Sequence, residues 1–157
     1  MTATKVIGES VKQTNRTFIK SYVEDYAKAI TENYRRYHIN TLNGNLHGNY
    51  PEYAREQLDA IENGTANLMK FKVYTGKRYY KIVQQEFETW EKSRNYGKYA
   101  DGSVHCFVDK ETGDVYKPAS WSAPAKHIRF SFQNEEDLRF LLNPDNVGWA
   151  GGYLYIR

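Results

Sequence analysis

Cysteine is nearly missing from this chain of 157 residues. Cys106 stands alone, so no internal disulfide can form and a reducing interior is the expected compartment. Proline is scarce as well, with four in all and none before Pro51, which leaves the first fifty residues free of that helix breaker. No apolar run approaches the roughly twenty residues that cross a bilayer, and the opening MTATKVIGES holds no apolar signal core, so no membrane partner is expected. Charge of one sign is not in large excess either. A net +3 is too mild to mark a nucleic-acid binder by whole-chain electrostatics, and any such reading must rest on local clustering.

The devices of several enzyme classes are also absent. There is no Walker loop and no GxGxxG, and Gly151-Gly152 alone specifies nothing. His38, His47, His105 and His127 show no metal-ligand spacing, and Cys106 falls on the apolar side of a strand pattern. The run Asp109 to Asp114 lacks the alternating acids and the distal Glu of a calcium loop, so it reads as a hairpin turn. Ser120, His105 or His127, and Asp109 could be assembled into a hydrolytic set, but no nucleophile elbow supports them. Neither a catalytic residue nor a cofactor is therefore expected.

Aromatic residues are what the chain has in surplus: they make up 15% of it, and 14 are Tyr. A ring with a polar tip suits binding and assembly surfaces as well as a small β core. The length accommodates one domain, or one domain with an appendage, with a core of its own.

Residues 1–9 read as a flexible arm, and 10–69 as a helical hairpin. Ile19, Val23, Tyr26, Ala27, Ile30 and Tyr34 recur at three- and four-residue steps from about Ser10 to His38, opposite Lys20, Glu24, Lys28 and Arg36. Asn40 to Asn49 reads as a connector. Asn49 is then the expected cap of a second helix, with Pro51 in its first turn and Ala54, Leu58 and Ile61 along one side. From Lys70 the period changes. Phe71 to Tyr74 and Arg78 to Val83 read as strands around Thr75-Gly76-Lys77, and Ser93 to Gly102 reads as a loop. Asn134 caps a short helix near 135–142 with first-turn acids, and Trp149 to Arg157 reads as a last strand. The expected class is α+β: an N-terminal antiparallel helical hairpin, then a mostly antiparallel β domain over 70–157 with one short helix.

The stretch from Ser103 to Phe132 organises this second part. Val104, Cys106 and Val108 alternate with His105, Phe107 and Asp109. Gly113 supplies a positive φ for the turn, and Asp114 to Lys117 returns as far as Pro118. Two prolines stiffen the loop that carries Trp121. His127 to Phe132 then alternates again, with Ile128, Phe130 and Phe132 inward and His127 and Arg129 outward. Lys117, Lys126, His127 and Arg129 thus fall within thirteen residues, interleaved with Tyr116 and Trp121. A planar ring beside cations can stack a base while the charges hold its phosphate. Lys77 and Arg78, at another hairpin tip, form a secondary basic patch. The alternative is that Trp121 closes the end of the sheet and the cations are solubilising.

Three pieces together, Ser103 to Asp109, Gly113 to Trp121 with Ala123 to Lys126, and Trp149 to Tyr155, resemble short proteins encoded by tailed bacteriophages, including phages of aquatic and cyanobacterial hosts. The likeness covers roughly Lys77 to Arg157. It implies a place in the host-cell cytoplasm or in a virion and carries over no catalytic residue. Three functions follow as expectations. The first is a non-enzymatic phage accessory protein that binds a phosphate-bearing ligand, nucleic acid or nucleotide. The second is a virion component that joins other phage proteins or its own copies through the N-terminal helices. The third is an enzyme whose site is scattered in sequence.

Overall fold

The computed structural model describes residues 2–156, with side chains from Phe18 onward. The arm expected over residues 1–9 lies outside the residues whose side chains are described. The long helix α1 spans Thr2–Asn45. The expected stripe is realised in full: Ile19, Val23, Tyr26, Ala27 and Ile30 are buried, and Tyr34 packs against the same core. The helix continues through the expected connector because Leu42, 2% exposed, anchors one more turn in the interior. Chain reversal is left to residues 46–50. Helix α2, Pro51–Glu62, then packs against α1. Pro51 opens it as expected, but the cap position is Tyr50 rather than Asn49 and makes no side-chain cap hydrogen bond.

Five strands follow: β1 Lys70–Thr75, β2 Tyr79–Phe87, β3 Tyr99–Asp109, β4 Asp114–Tyr116 and β5 Phe130–Ser131. They form one antiparallel sheet in sequence order. With α1, α2 and the short helix α3, Glu135–Leu141, the architecture is α+β. None of the described helices is long and apolar enough to cross a membrane. Strand β3 begins at Tyr99, earlier than the expected loop allows, because Tyr99, Ala100 and Asp101 pair with Phe87, Glu86 and Gln85.

Period-2 alternation sends Tyr80, Ile82, Cys106, Val108 and Val115 to the face that packs on α1. Lys72, Tyr74, Tyr79, Lys81, Phe107 and Tyr116 take the other face, since Tyr74 pairs with Lys81, Lys81 with Phe107 and Phe107 with Tyr116. The pattern breaks once in a way that matters. Ile82 pairs with Cys106 and Val83 with Val104, so His105 has no partner across the ladder. It is a bulged residue, turned inward and buried, where simple alternation had put it outside.

Two expected strands are corrected. Only Phe130–Ser131 pairs as β5. His127 takes a positive φ of 74°, which re-aims the chain before the strand starts and leaves Ile128 exposed, while Phe130 and Phe132 remain inside. The end of the chain forms a 3-10 turn, Gly152–Leu154, rather than a strand. Gly151, at φ 82°, supplies the left-handed residue in front of it. Elsewhere the local signals hold. Asn134 accepts a hydrogen bond from the Asp137 amide as the cap of α3. Gly113 adopts φ 74°, and its Cα lies so near Phe132 and Ile19 that a Cβ would meet Phe132 at 3.2 Å.

Candidate functional site

The loop after β4 closes on itself before it can wander. Pro118 bridges Pro124, the Ala125 amide donates to the Lys117 carbonyl at 2.7 Å, and the Ala119 and Ser120 amides both donate to the Ala123 carbonyl at 2.9 and 3.1 Å. Trp121 sits at the tip of this small hairpin with 46% of its surface exposed. From β2, Lys81 reaches up to it. The ammonium lies 4.0 Å from the centre of the indole ring and donates to the Trp121 carbonyl at 3.0 Å. That pair of contacts holds the ring over the outer face of the sheet.

A cleft of about 450 Å³ opens beside the indole, between the loop and the β1–β2 hairpin. Tyr74, Tyr79 and Phe107 supply its apolar walls, and Lys77, Arg78 and Lys81 its positive charge. Tyr79 is held edge-on by Phe107, at 5.9 Å between ring centres, and by Tyr116, at 6.1 Å, with the Arg78 guanidinium 5.2 Å away. Among the described residues one acid lines the cleft. Asp101 accepts from the Gln85 amide at 2.7 Å and from the Tyr74 hydroxyl at 2.8 Å. The Gln85 hydrogen bond foremost, with the Tyr74 hydroxyl and the charges of Lys72 and Lys81, holds its carboxyl below the ordinary range. Lys77 and Arg78 also border a wider cavity of about 830 Å³, where Lys110 adds a third cation and Asp109 and Glu111 add two acids; Arg78 lies 3.7 Å from Asp109 across it.

A second constellation lies inside. The Tyr26 hydroxyl meets the Tyr153 hydroxyl at 2.5 Å, and that hydroxyl meets His105 Nε2 at 2.7 Å. The Trp149 backbone satisfies the imidazole on its other side. Helix α1, the bulge of β3 and the chain end are thereby fastened together. Burial pushes His105 down to about 4, so the ring is neutral at pH 7, and pushes the Cys106 thiol up to about 12. A neutral thiol with no exposure is no nucleophile. Among the described residues there is no group of three or more His, Cys, Asp or Glu arranged to hold a metal ion.

A model of a family of unknown function, DUF7717, matches residues 5–156. The chain belongs to that family. No curated protein and no solved structure matches it.

In this DUF7717 chain the residues singled out from the sequence part company. Trp121, Lys77 and Arg78 meet at the cleft, and Tyr116 stands behind Tyr79. The remaining cations do not join them. Lys117 lies 4.7 Å from the Tyr155 ring, beside a separate recess of about 290 Å³. Lys126 and His127 are exposed, away from the cleft lining. Arg129, expected to point outward, folds back and donates to the carbonyls of Leu154, Lys126 and His127 at 2.6–2.8 Å. It ties down the turn that His127 begins. Arg129→Ala is accordingly expected to lower unfolding free energy by on the order of 2 kcal/mol in a urea titration, from the loss of charged hydrogen bonds. It should leave polyanion affinity nearly unchanged once the protein is folded.

The residues that sequence reasoning missed are Lys81, Tyr79, Tyr74 and Asp101. The alternation of Lys72 with Tyr74 is a visible signal of an outward aromatic–basic face. What brings Lys81 under Trp121, forty positions away, is strand pairing.

Proposed function

We propose that this protein is a non-enzymatic accessory protein that binds single-stranded nucleic acid across the outer face of its sheet, with Trp121 as the stacking ring. The observation that carries this reading is the half-exposed indole fixed by Lys81 at the mouth of a cleft rimmed by Lys77 and Arg78. Stacked bases contribute on the order of 1–3 kcal/mol each, and the three cations lie where phosphates would follow. A polymer fits better than a mononucleotide because cation–ring pairs extend along the same face, Lys72 with Tyr74 and Lys70 with Tyr99 as well as Lys81 with Trp121. The phage setting, host cytoplasm or virion, rests on the sequence resemblance.

Titration of a labelled eight-nucleotide single strand, followed by anisotropy at several salt concentrations, tests the proposal. Three phosphate contacts predict a log–log salt slope of about −2. A flat salt response, or no binding at 50 mM salt, rejects it. A virion role through the N-terminal helices is the second reading, favoured by Phe18, which is 53% exposed and stacked on Tyr22 at 6.2 Å. Mass spectrometry of purified particles separates the two.

A further inference from the structure

An acid is out of place in a site built only to hold phosphates. Among the described residues Asp101 is the one carboxylate lining a cleft that has three cations, and its charge opposes any polyanion that enters. It is nevertheless held deliberately. Gln85, itself buried, donates to Oδ1 at 2.7 Å, and the Tyr74 hydroxyl donates to Oδ1 at 2.8 Å and to Oδ2 at 3.0 Å. Tyr74 is the cross-strand neighbour of Lys81, the lysine that supports the indole. A chain of contacts therefore fixes the carboxylate relative to the stacking ring. Asp101 is exposed, and Gln85 and Tyr74 bring two protons to a carboxylate with about four acceptor sites; with the single Tyr74 proton on Oδ2 and the Gln85 proton on Oδ1, each oxygen keeps one site for a ligand.

Resting on the proposed stacking of a base on Trp121, we infer that Asp101 reads that base, and that it selects guanine. A base stacked on an indole presents its edge to the neighbouring wall. On its Watson–Crick edge guanine carries two adjacent donors, N1–H and the N2 amino group, which match the two oxygens of a carboxylate. Adenine and cytosine offer one amino group beside an acceptor nitrogen, which repels the second oxygen. Thymine and uracil offer one N–H between two carbonyls. The carboxylate thus rejects four bases by unpaired acceptors facing it and accepts one. The Gln85 hydrogen bond above all, then the Tyr74 hydroxyl and the charges of Lys72 and Lys81, keep the acid ionised, as this role requires.

The test uses the full chain and nine-nucleotide strands of thymine whose central position is guanine, adenine, cytosine or thymine, with anisotropy as the readout. The guanine strand should bind about tenfold tighter than the all-thymine strand, the discrimination typical of a good bidentate pair. Asp101→Asn should reduce that preference to about twofold or less and should tighten binding of the all-thymine strand slightly, because a repelling charge is gone. If the strands bind but all four centres are equivalent, or if Asp101→Asn keeps the guanine preference, the inference is overturned and the stacking surface stands. If no strand binds, the surface falls and this inference falls with it. Circular dichroism and urea unfolding of Asp101→Asn confirm that the comparison is made on a folded protein.

Discussion

Trp121→Ala should weaken single-strand binding by roughly 5- to 150-fold, the equivalent of about 1–3 kcal/mol for a stacked base. The ring is exposed enough to be met by a ligand and fixed enough to lose little freedom when it is met. The Pro118–Pro124 bridge and the amides on Ala123 close its loop, and Lys81 holds it from below. The fold should tolerate the change. Trp121 lies outside the buried cluster, and an exposed cation–ring contact contributes only about 0.5–1 kcal/mol to stability. Trp90→Ala is the control, since that residue is 62% exposed but does not line the cleft. Unchanged affinity in folded Trp121→Ala, or an equal loss in Trp90→Ala, would sink the assignment of the indole.

Acid should destabilise the fold through one imidazole. His105 is neutral inside the protein, with its folded value near 4, whereas in the unfolded chain it takes up a proton near 6.5. The unfolded state therefore binds more protons throughout the interval between these values. Stability is complete above about pH 6.5 and declines as pH falls toward 4, with a slope approaching 1.4 kcal/mol per unit and a total of about 3 kcal/mol. The described groups around the ring bring no compensating negative charge: Phe71 packs edge-on at 5.3 Å, the Tyr153 hydroxyl occupies Nε2 and the Trp149 backbone takes the other side. Urea unfolding at pH 7, 5.5 and 4.5 measures the decline. His105→Gln should start from lower stability but lose less across the same interval, and the difference between the two curves isolates the imidazole from the carboxylates. Parallel curves would show that His105 does not carry the effect.

Much of the architecture is legible without coordinates because it depends on near neighbours. Residues three and four apart on α1 share a stripe whatever the rest of the chain does, and Ile19, Val23, Tyr26, Ala27 and Ile30 are buried accordingly. The turn at Gly113 and the cap at Asn134 are likewise decided within five residues. Reading fails where a local rule meets a distant partner. Alternation alone assigns His105 to solvent, but a bulge set by the pairing of β2 with β3 turns it toward two tyrosines from opposite ends of the chain. Arg129 alternates like a surface cation, but its charge is claimed by the carbonyl of Leu154, which no pattern near residue 129 announces.

The candidate site divides in the same way. By itself the amino-acid sequence determined that a stiff loop would present Trp121 and that Lys77 and Arg78 would sit at a hairpin tip. Proline geometry and turn chemistry act over a handful of bonds. Tertiary structure alone decided that Lys81 lies under the indole, that Asp101 shares the cleft, and that Lys117, Lys126, His127 and Arg129 do not. The reason is physical. Which outward side chains become neighbours is set by strand register and by the fold-back of the chain end, and both are fixed by burial of the opposite, apolar face rather than by the residues that line the cleft.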